Sequence, residues 1–289
     1  IDVAVNKFTD TAGNNNTAAT QFNWTRKSSI SVKKDESGDY KMIAAAISAA
    51  FNGDTIVVYP GTYFESTDSN HALKINNKNL VILSDGSSSN TIIDANSDFR
   101  AIGIYGSSAV TINGFTIING RASDCNDGCD GAGIYISSTG TVNLNNLIIS
   151  NNLAASTGGG IYIASPADVT VNACKIYSNE AVDYGGGIGS RSDKTIIKNS
   201  LIYDNKTSGY DGGGIDAEKT FVLINSALIR NSVPDSRYGA AIRVSTSLDS
   251  VLIFNTVFYD NYGGENYSAD DGIYLNNGKL VMFNNYLNK

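Results

Sequence analysis

The chain has 289 residues, of which 42% are hydrophobic and 17% charged, with 29 glycines and 3 prolines. Its 21 Lys and Arg against 28 Asp and Glu give a formal net charge of −7, which disfavours nucleic acid and anionic membranes as partners and favours neutral glycans, cations or no ligand. No run approaches the ~18 apolar residues that a membrane helix needs, so no membrane insertion of this segment is expected. Frequent Gly, Asn, Ser and Thr favour short strands and tight turns over helices. The chain opens at Ile1 without Met, from which removal of a leader is the expectation.

Residues 1–38 are polar and weakly patterned, expected to lie along the body that follows or to add an edge strand to it. Residues 39–289 read as one repeat-built domain. Its first element is a helix within 39–51: Ile43, Ala46, Ile47 and Ala50 lie on one face, and Asn52-Gly53 stops it. Such a helix caps the open end of a stacked core. Thr55–Val58, Leu80–Leu83, Thr91–Asp94 and Val110–Ile112 then read as strands.

Beyond them a repeat sets in. An Ile preceded by Gly or Ala recurs at Ile104, Ile134, Ile161, Ile188, Ile215, Ile242 and Ile273, at intervals of 30, 27, 27, 27, 27 and 31 residues. A second mark keeps step: a large apolar residue, two spacers and Asn, at Asn152, Asn179, Asn205, Asn231 and Asn261. Six residues earlier stands another Asn in most copies (Asn113, Asn146, Asn199, Asn225, Asn255), with Ala173 as the one break. Alternating runs such as Val169-Thr-Val171 bury one face of a strand. Three strands per unit make one coil, and each strand pairs with its copy about 4.8 Å away in the next coil. Asn suits the left-handed bends between strands and can hydrogen-bond its copies above and below. The expected fold is an all-β, right-handed parallel β-helix of roughly ten coils with a short N-terminal capping helix. The C-terminal end lacks an equivalent cap, so a truncated end is expected, against cover by another subunit through end-to-end self-association.

Insertions fall between the Asn mark and the Gly mark, so one corner carries the variable loops. Tyr184, Tyr210 and Tyr238 precede the Gly mark there, accompanied by Asp183, Asp211 and Asp235. Tyr184, Tyr210, Asp211 and Tyr238 are the candidate carbohydrate-binding residues, as a ring platform for a polysaccharide or surface glycan; the alternative is a packed ladder that merely covers the Gly corner. Cys125 and Cys129 sit four apart in a polar loop and read as a small disulfide, which implies an oxidising compartment; two free thiols are the alternative. Cys174 reads as a buried small hydrophobe. Around Gly128, Asp124, Asn126, Asp127 and Asp130 form the candidate Ca²⁺ site, against a plain solvated acidic loop. Asn15, Asn23 and Asn266 are candidate glycosylation sites; Asn205 also lies in a sequon but, as a ladder Asn, is expected to be buried and unmodified.

Ile43-Ala-Ala-Ala-Ile47 followed by Gly53-Asp-Thr-Ile56 and Pro60-Gly-Thr-Tyr63 resembles the opening of pectin-lyase-like right-handed β-helix proteins. The Gly-Gly-Gly-Ile and Ile-x-x-Asn marks are similar to repeats of polymorphic outer-membrane proteins and adhesin-like surface proteins. The resemblance spans about residues 39–289 and implies the fold; the scaffold hosts lyases, hydrolases, epimerases, adhesins and fibres alike. The Asn-Thr-Asp, Gly-His-Gly and Arg-Ile-Lys motifs of polygalacturonases are absent from the sequence. Asp270-Asp271 lacks its companion motifs, and the sole histidine, His71, lies outside the repeat, so neither is read as catalytic. The leading expectation is a non-catalytic extracellular or cell-surface protein, adhesin-like or fibre-forming. The rival is a polysaccharide lyase or hydrolase acting at the loop-bearing corner.

Overall fold

The computed structural model describes residues 28–123, 128–164, 166–192, 194–235, 237–245, 250–263, 272–276 and 279–288. They form a parallel β-solenoid of about nine turns, against the roughly ten coils expected. Each turn of the regular part passes through four sheets rather than three. Ten-, nine- and eight-stranded sheets make the walls, and a six-stranded sheet of two-residue strands, from Arg121–Ala122 to Tyr262–Gly263, closes the corner before the glycines. Strands this short leave no alternating pattern in the sequence.

All the pairings between successive strands of these sheets are parallel and join equivalent positions: Ile134 pairs with Ile161, Ile161 with Ile188, Ile188 with Ile215 and Ile215 with Ile242. All five side chains are fully buried. The interior is therefore a bundle of identical-residue stacks running the length of the rod, which removes apolar surface from water continuously along the axis. One expected register is corrected at the start of the repeat. Ile134 pairs with Ile102, and Ile104 pairs with Ile136, so the first interval is 32 residues rather than 30. Gly103-Ile104 imitates the Gly-Ile mark, but both Ile102 and Ile104 point inward.

The two asparagine series do different work. The left-handed residues after the ten-stranded sheet include Asn146, Asn199, Asn225, Asn255 and Ala173, with Gly114 rather than Asn113 in the first copy. In the second series the left-handed residue is the one before the marked Asn: Asn151, Ser178, Asp204, Arg230 and Asp260. The marked Asn itself turns inward. Asn205 is fully buried. Its Nδ2 donates to Asn231 Oδ1 at 3.0 Å and to the Ile176 carbonyl at 2.9 Å. Its Oδ1 accepts from the Asn179 backbone N–H at 3.1 Å and from Asn179 Nδ2 at 3.0 Å. The amide has no hydrogen-bonding capacity left over. The same bonding joins Asn152 to Asn179 and Asn231 to Asn261.

The glycine mark has a separate cause. Gly187 must be bare because a Cβ there would stand 2.6 Å from the Gly214 carbonyl of the next coil. Gly185 adopts φ 62°, the left-handed region that a side chain disfavours.

The helix spans Ile43–Ala49, shorter than the 39–51 stretch expected, with Ile43, Ala46 and Ile47 buried. Glu65 caps its N-terminus, its two oxygens accepting from the N–H groups of Ile43 and Ala44, each at 2.5 Å. Lys78 Nζ collects the free carbonyls of Ile47, Ser48 and Ala50 at the other end. Before the helix, Ser29–Val32 adds a parallel edge strand against Asp54–Val58.

Asn205→Ala strands the Nδ2–H of Asn179 and one acceptor of the ladder, and is expected to cost about 2–4 kcal/mol in denaturant unfolding. Asn199→Ala should cost less than about 1 kcal/mol, because Ala173 already fills the equivalent outer slot. Equal losses at the two sites would contradict this division of labour.

Candidate functional site

The outer face of the eight-stranded sheet carries the densest polar cluster described. One row of outward positions runs Tyr135, Tyr162, Gly189, Asp216, Arg243, Tyr274, each in register with the next. Two residues further along their coils stand Arg191 and Glu218. Asp216 is fully buried and is gripped from both sides: Arg191 Nη1 lies 2.6 Å from Oδ2, and Arg243 Nη1 lies 2.7 Å from Oδ1. The two arginines come from the coils on either side, so one carboxylate ties three coils together. Arg191 Nε reaches Glu218 Oε2 at 2.9 Å. Burial pushes the Glu218 carboxyl above its usual range, with Arg191 pulling the other way.

The loop-bearing corner leans onto this cluster. Asp211 Oδ2 lies 3.3 Å from Arg243 Nε, an ion pair without a hydrogen bond, while its Oδ1 accepts from the Tyr238 backbone N–H at 2.9 Å. The Arg243 guanidinium lies 4.5 Å from the centre of the Tyr184 ring, and Arg237 lies 4.4 Å from that of Tyr210. Tyr184 and Tyr210 are 5.3 Å apart and tilted, whereas Tyr238 stacks on Tyr274 at 4.5 Å. Tyr135 and Tyr162 stack at 5.5 Å further along the row. Burial and then the Asp130 charge push the Tyr162 phenol up to about 12.

Tyr184, Tyr210, Asp211 and Tyr238 therefore gather at one corner. The rings are not a row of bare faces, since they already meet arginines or one another. What they offer a ligand is largely edges and hydroxyls, interleaved with guanidinium groups. Arg191, Asp216, Glu218, Arg237 and Arg243 were not singled out in the sequence. The signal was available: stacking the repeats at their Ile mark puts Asp216 and Arg243 in one column, one coil apart.

The other expected site residues fare differently. Cys129 is a free, half-buried thiol, so the expected disulfide is not formed, and Cys125 lies outside the described residues. Asp124, Asn126, Asp127, Asn15, Asn23 and Asn266 also lie outside them, as does Asp270-Asp271. Asp130 holds the neighbouring coil, its Oδ1 accepting from the Thr157 N–H at 2.9 Å. Among the described residues no group of three or more His, Cys, Asp and Glu is placed to hold a metal ion. Cys174 is buried, and burial raises its thiol to about 11. No helix of the described residues is long and apolar enough to cross a membrane.

A parallel solenoid with stacked Asn and Gly corners and a polar outer sheet defines the β-helix class. The chain belongs to the right handed beta helix region family, whose model matches residues 100–289. No curated protein matches it in sequence. Among solved structures, a pectin methylesterase from carrot is similar over 88% of this chain and 83% of its own, at 15% identity and a TM-score of 0.51. A pectin methylesterase mutant in complex with a hexasaccharide is similar over 93% of this chain and 90% of its own, at 14% identity and a TM-score of 0.52. At these identities the likeness establishes the pectin-lyase-like fold.

Asp216→Ala leaves two largely buried guanidinium groups without their shared carboxylate, and is expected to lower stability by about 3–5 kcal/mol. A loss below about 1 kcal/mol in chemical unfolding would show that the triad does not organise this face.

Proposed function

We propose that this chain is a non-catalytic, extracellular polysaccharide-binding β-helix whose ligand face is the outer side of the eight-stranded sheet at the loop-bearing corner. The observation that carries it is Arg237. Its guanidinium lies over the Tyr210 ring, 4.4 Å from the ring centre, half-buried, with no carboxylate partner among the described residues. A planar guanidinium fixed on a ring keeps its fork of donors preorganised for a carboxylate and for hydroxyl oxygens. A uronate-containing chain supplies both. The fold neighbour solved with a hexasaccharide supports an extended sugar chain as the ligand of this scaffold. The net charge of −7 does not prevent this, because at physiological salt charges beyond about 8 Å are largely screened.

A second reading, a polysaccharide lyase or hydrolase, is favoured by one observation: Asp216, Glu218 and Asp211 converge with Arg191 and Arg243 on the same face. Against it, both oxygens of Asp216 are already engaged by arginines, which leaves Glu218 as the carboxyl with a raised pKa at the surface.

Affinity electrophoresis through polygalacturonate and through a neutral glucan separates the readings. Binding is expected to polygalacturonate, to weaken with salt, and to fall at least about tenfold in Arg237→Ala while the protein stays folded. Equal retardation of wild type and Arg237→Ala would refute the assignment. Release of new chain ends from either polymer, abolished in Glu218→Gln, would establish the enzyme reading instead.

A further inference from the structure

The eight-stranded sheet carries a second cluster towards its N-terminal end. His71, the one histidine of the chain, is 1% exposed. Its Nδ1 lies 2.7 Å from Asp68 Oδ1, and Asp68 also meets Lys74 Nζ at 2.9 Å. The carboxylate assigns the ring proton to Nδ1, which leaves Nε2 as an acceptor. Two donors converge on it: the Tyr105 hydroxyl at 2.6 Å and Arg100 Nη1 at 3.1 Å. Gly103 makes the room, since a Cβ there would meet the His71 ring at 2.6 Å and the Tyr105 ring at 2.5 Å.

Arg100 is fully buried, and the rest of its fork reaches over to residues 128–131. Nη2 donates to the carbonyls of Gly128 and Asp130, each at 2.9 Å. Nε donates to those of Asp130 at 3.0 Å and Gly131 at 3.2 Å. The guanidinium also lies 4.4 Å from the centre of the Tyr135 ring. Arg100 thus straps residues 128–131 onto the sheet, and the imidazole lone pair helps to hold the strap.

We propose that this cluster is an acid-sensitive latch: protonation of His71 at Nε2 releases Arg100 and, with it, residues 128–131 from the face of the eight-stranded sheet. The neutral ring offers a lone pair to two donors. The imidazolium offers an N–H instead, aimed at the N–H of a guanidinium 3.1 Å away, and sets two cations side by side. Every charged or titratable group the described structure places against the ring bears on the balance. Asp68, from the turn before the strand, favours the cation. Lys74 on the same strand and Arg100 on the next oppose it. Tyr105 can turn its hydroxyl to accept from the new N–H. Burial is the largest influence and opposes the charged ring, so His71 titrates below the usual imidazole range. The fold therefore favours the neutral form. The latch is complete above about pH 6.5, the ordinary imidazole value, and weakens as the pH falls below it.

The strap also bears on the tyrosine row. Gly131 N–H donates to the Thr157 carbonyl at 2.9 Å, and Ser156 N–H donates to that of Cys129 at 3.0 Å. These bonds dock residues 128–131 on the turn that leads into the strand carrying Tyr162. Acid loosens that end of the face and leaves the Arg191–Asp216–Arg243 triad intact. The latch stands whether or not the face binds glycan.

Native-state hydrogen exchange at the Gly131 and Ser156 amides tests it, corrected for the intrinsic rate and followed from about pH 7.5 to about pH 5. In the wild type the opening equilibrium at both amides is expected to rise at least about tenfold as the pH falls from the ordinary imidazole value, and to level off where the His71 ring itself titrates, read by NMR on the same sample. The amide of Asn205 should not respond, and His71→Gln should show no pH dependence at either reporter. The latch is overturned if the two amides stay flat while the ring protonates. It is equally overturned if His71→Gln keeps the acid response, which would then belong to Glu65 or Glu218, the carboxyls that burial holds high. Should His71→Gln fail to fold, the wild type decides alone: a rise that levels off at the ring titration supports the latch, and amides that stay flat through it overturn it.

Discussion

Everything in this molecule depends on the stacking of each coil on its own copy. A parallel strand pair puts equivalent residues about 4.8 Å apart, so any side chain the sequence repeats must be compatible with itself at that distance. Isoleucine meets the demand by burial and glycine by having no Cβ. Asparagine meets it chemically, since its amide has donors on one side and an acceptor on the other. From Asn152 to Asn231 every side-chain donor of the inner series finds the oxygen of the next coil or a backbone carbonyl. A buried polar ladder of that kind is stable only when complete, which makes it a device for register as much as for stability.

The same constraint explains where function can sit. Like charges cannot be stacked at that spacing without repulsion, so a charged outward column must alternate or be broken. The outer face of the eight-stranded sheet does both. Gly189 interrupts the tyrosine column, and Asp216 then stands between arginines from neighbouring coils. The polar cluster is where the repeat stops copying itself. The corner loops add Tyr184, Tyr210 and Arg237 to it from the side.

Much of this was legible in the sequence because the repeat reports directly on stacking. The Ile and Asn columns, the bare Gly corner and the burial of Asn205 follow from a period of 27 residues and simple sterics, and the cap helix from the apolar face of Ile43, Ala46 and Ile47. The failures have local causes. Ile104 mimics the first ladder residue because Gly103 precedes it, yet that glycine serves the rings of His71 and Tyr105. The four-sheet cross-section escaped notice because strands of two residues carry no periodicity. The Arg191–Asp216–Arg243 triad draws one residue from each of three coils and matches no linear motif. His71 lies outside the repeat in sequence, although it sits at the start of the same sheet. The Cys125–Cys129 bridge was inferred from spacing alone, and Cys129 is a free thiol.

The proposed sugar-binding surface is the outer face of the eight-stranded sheet at the Gly corner. Exchange of backbone amides with and without a uronate oligosaccharide locates the ligand directly. The account predicts slowed exchange in the segments around residues 182–185, 209–212 and 237–243, where Tyr184, Tyr210, Arg237 and Arg243 reside. Protection confined to the nine- or ten-stranded sheet, with that corner unchanged, would contradict it.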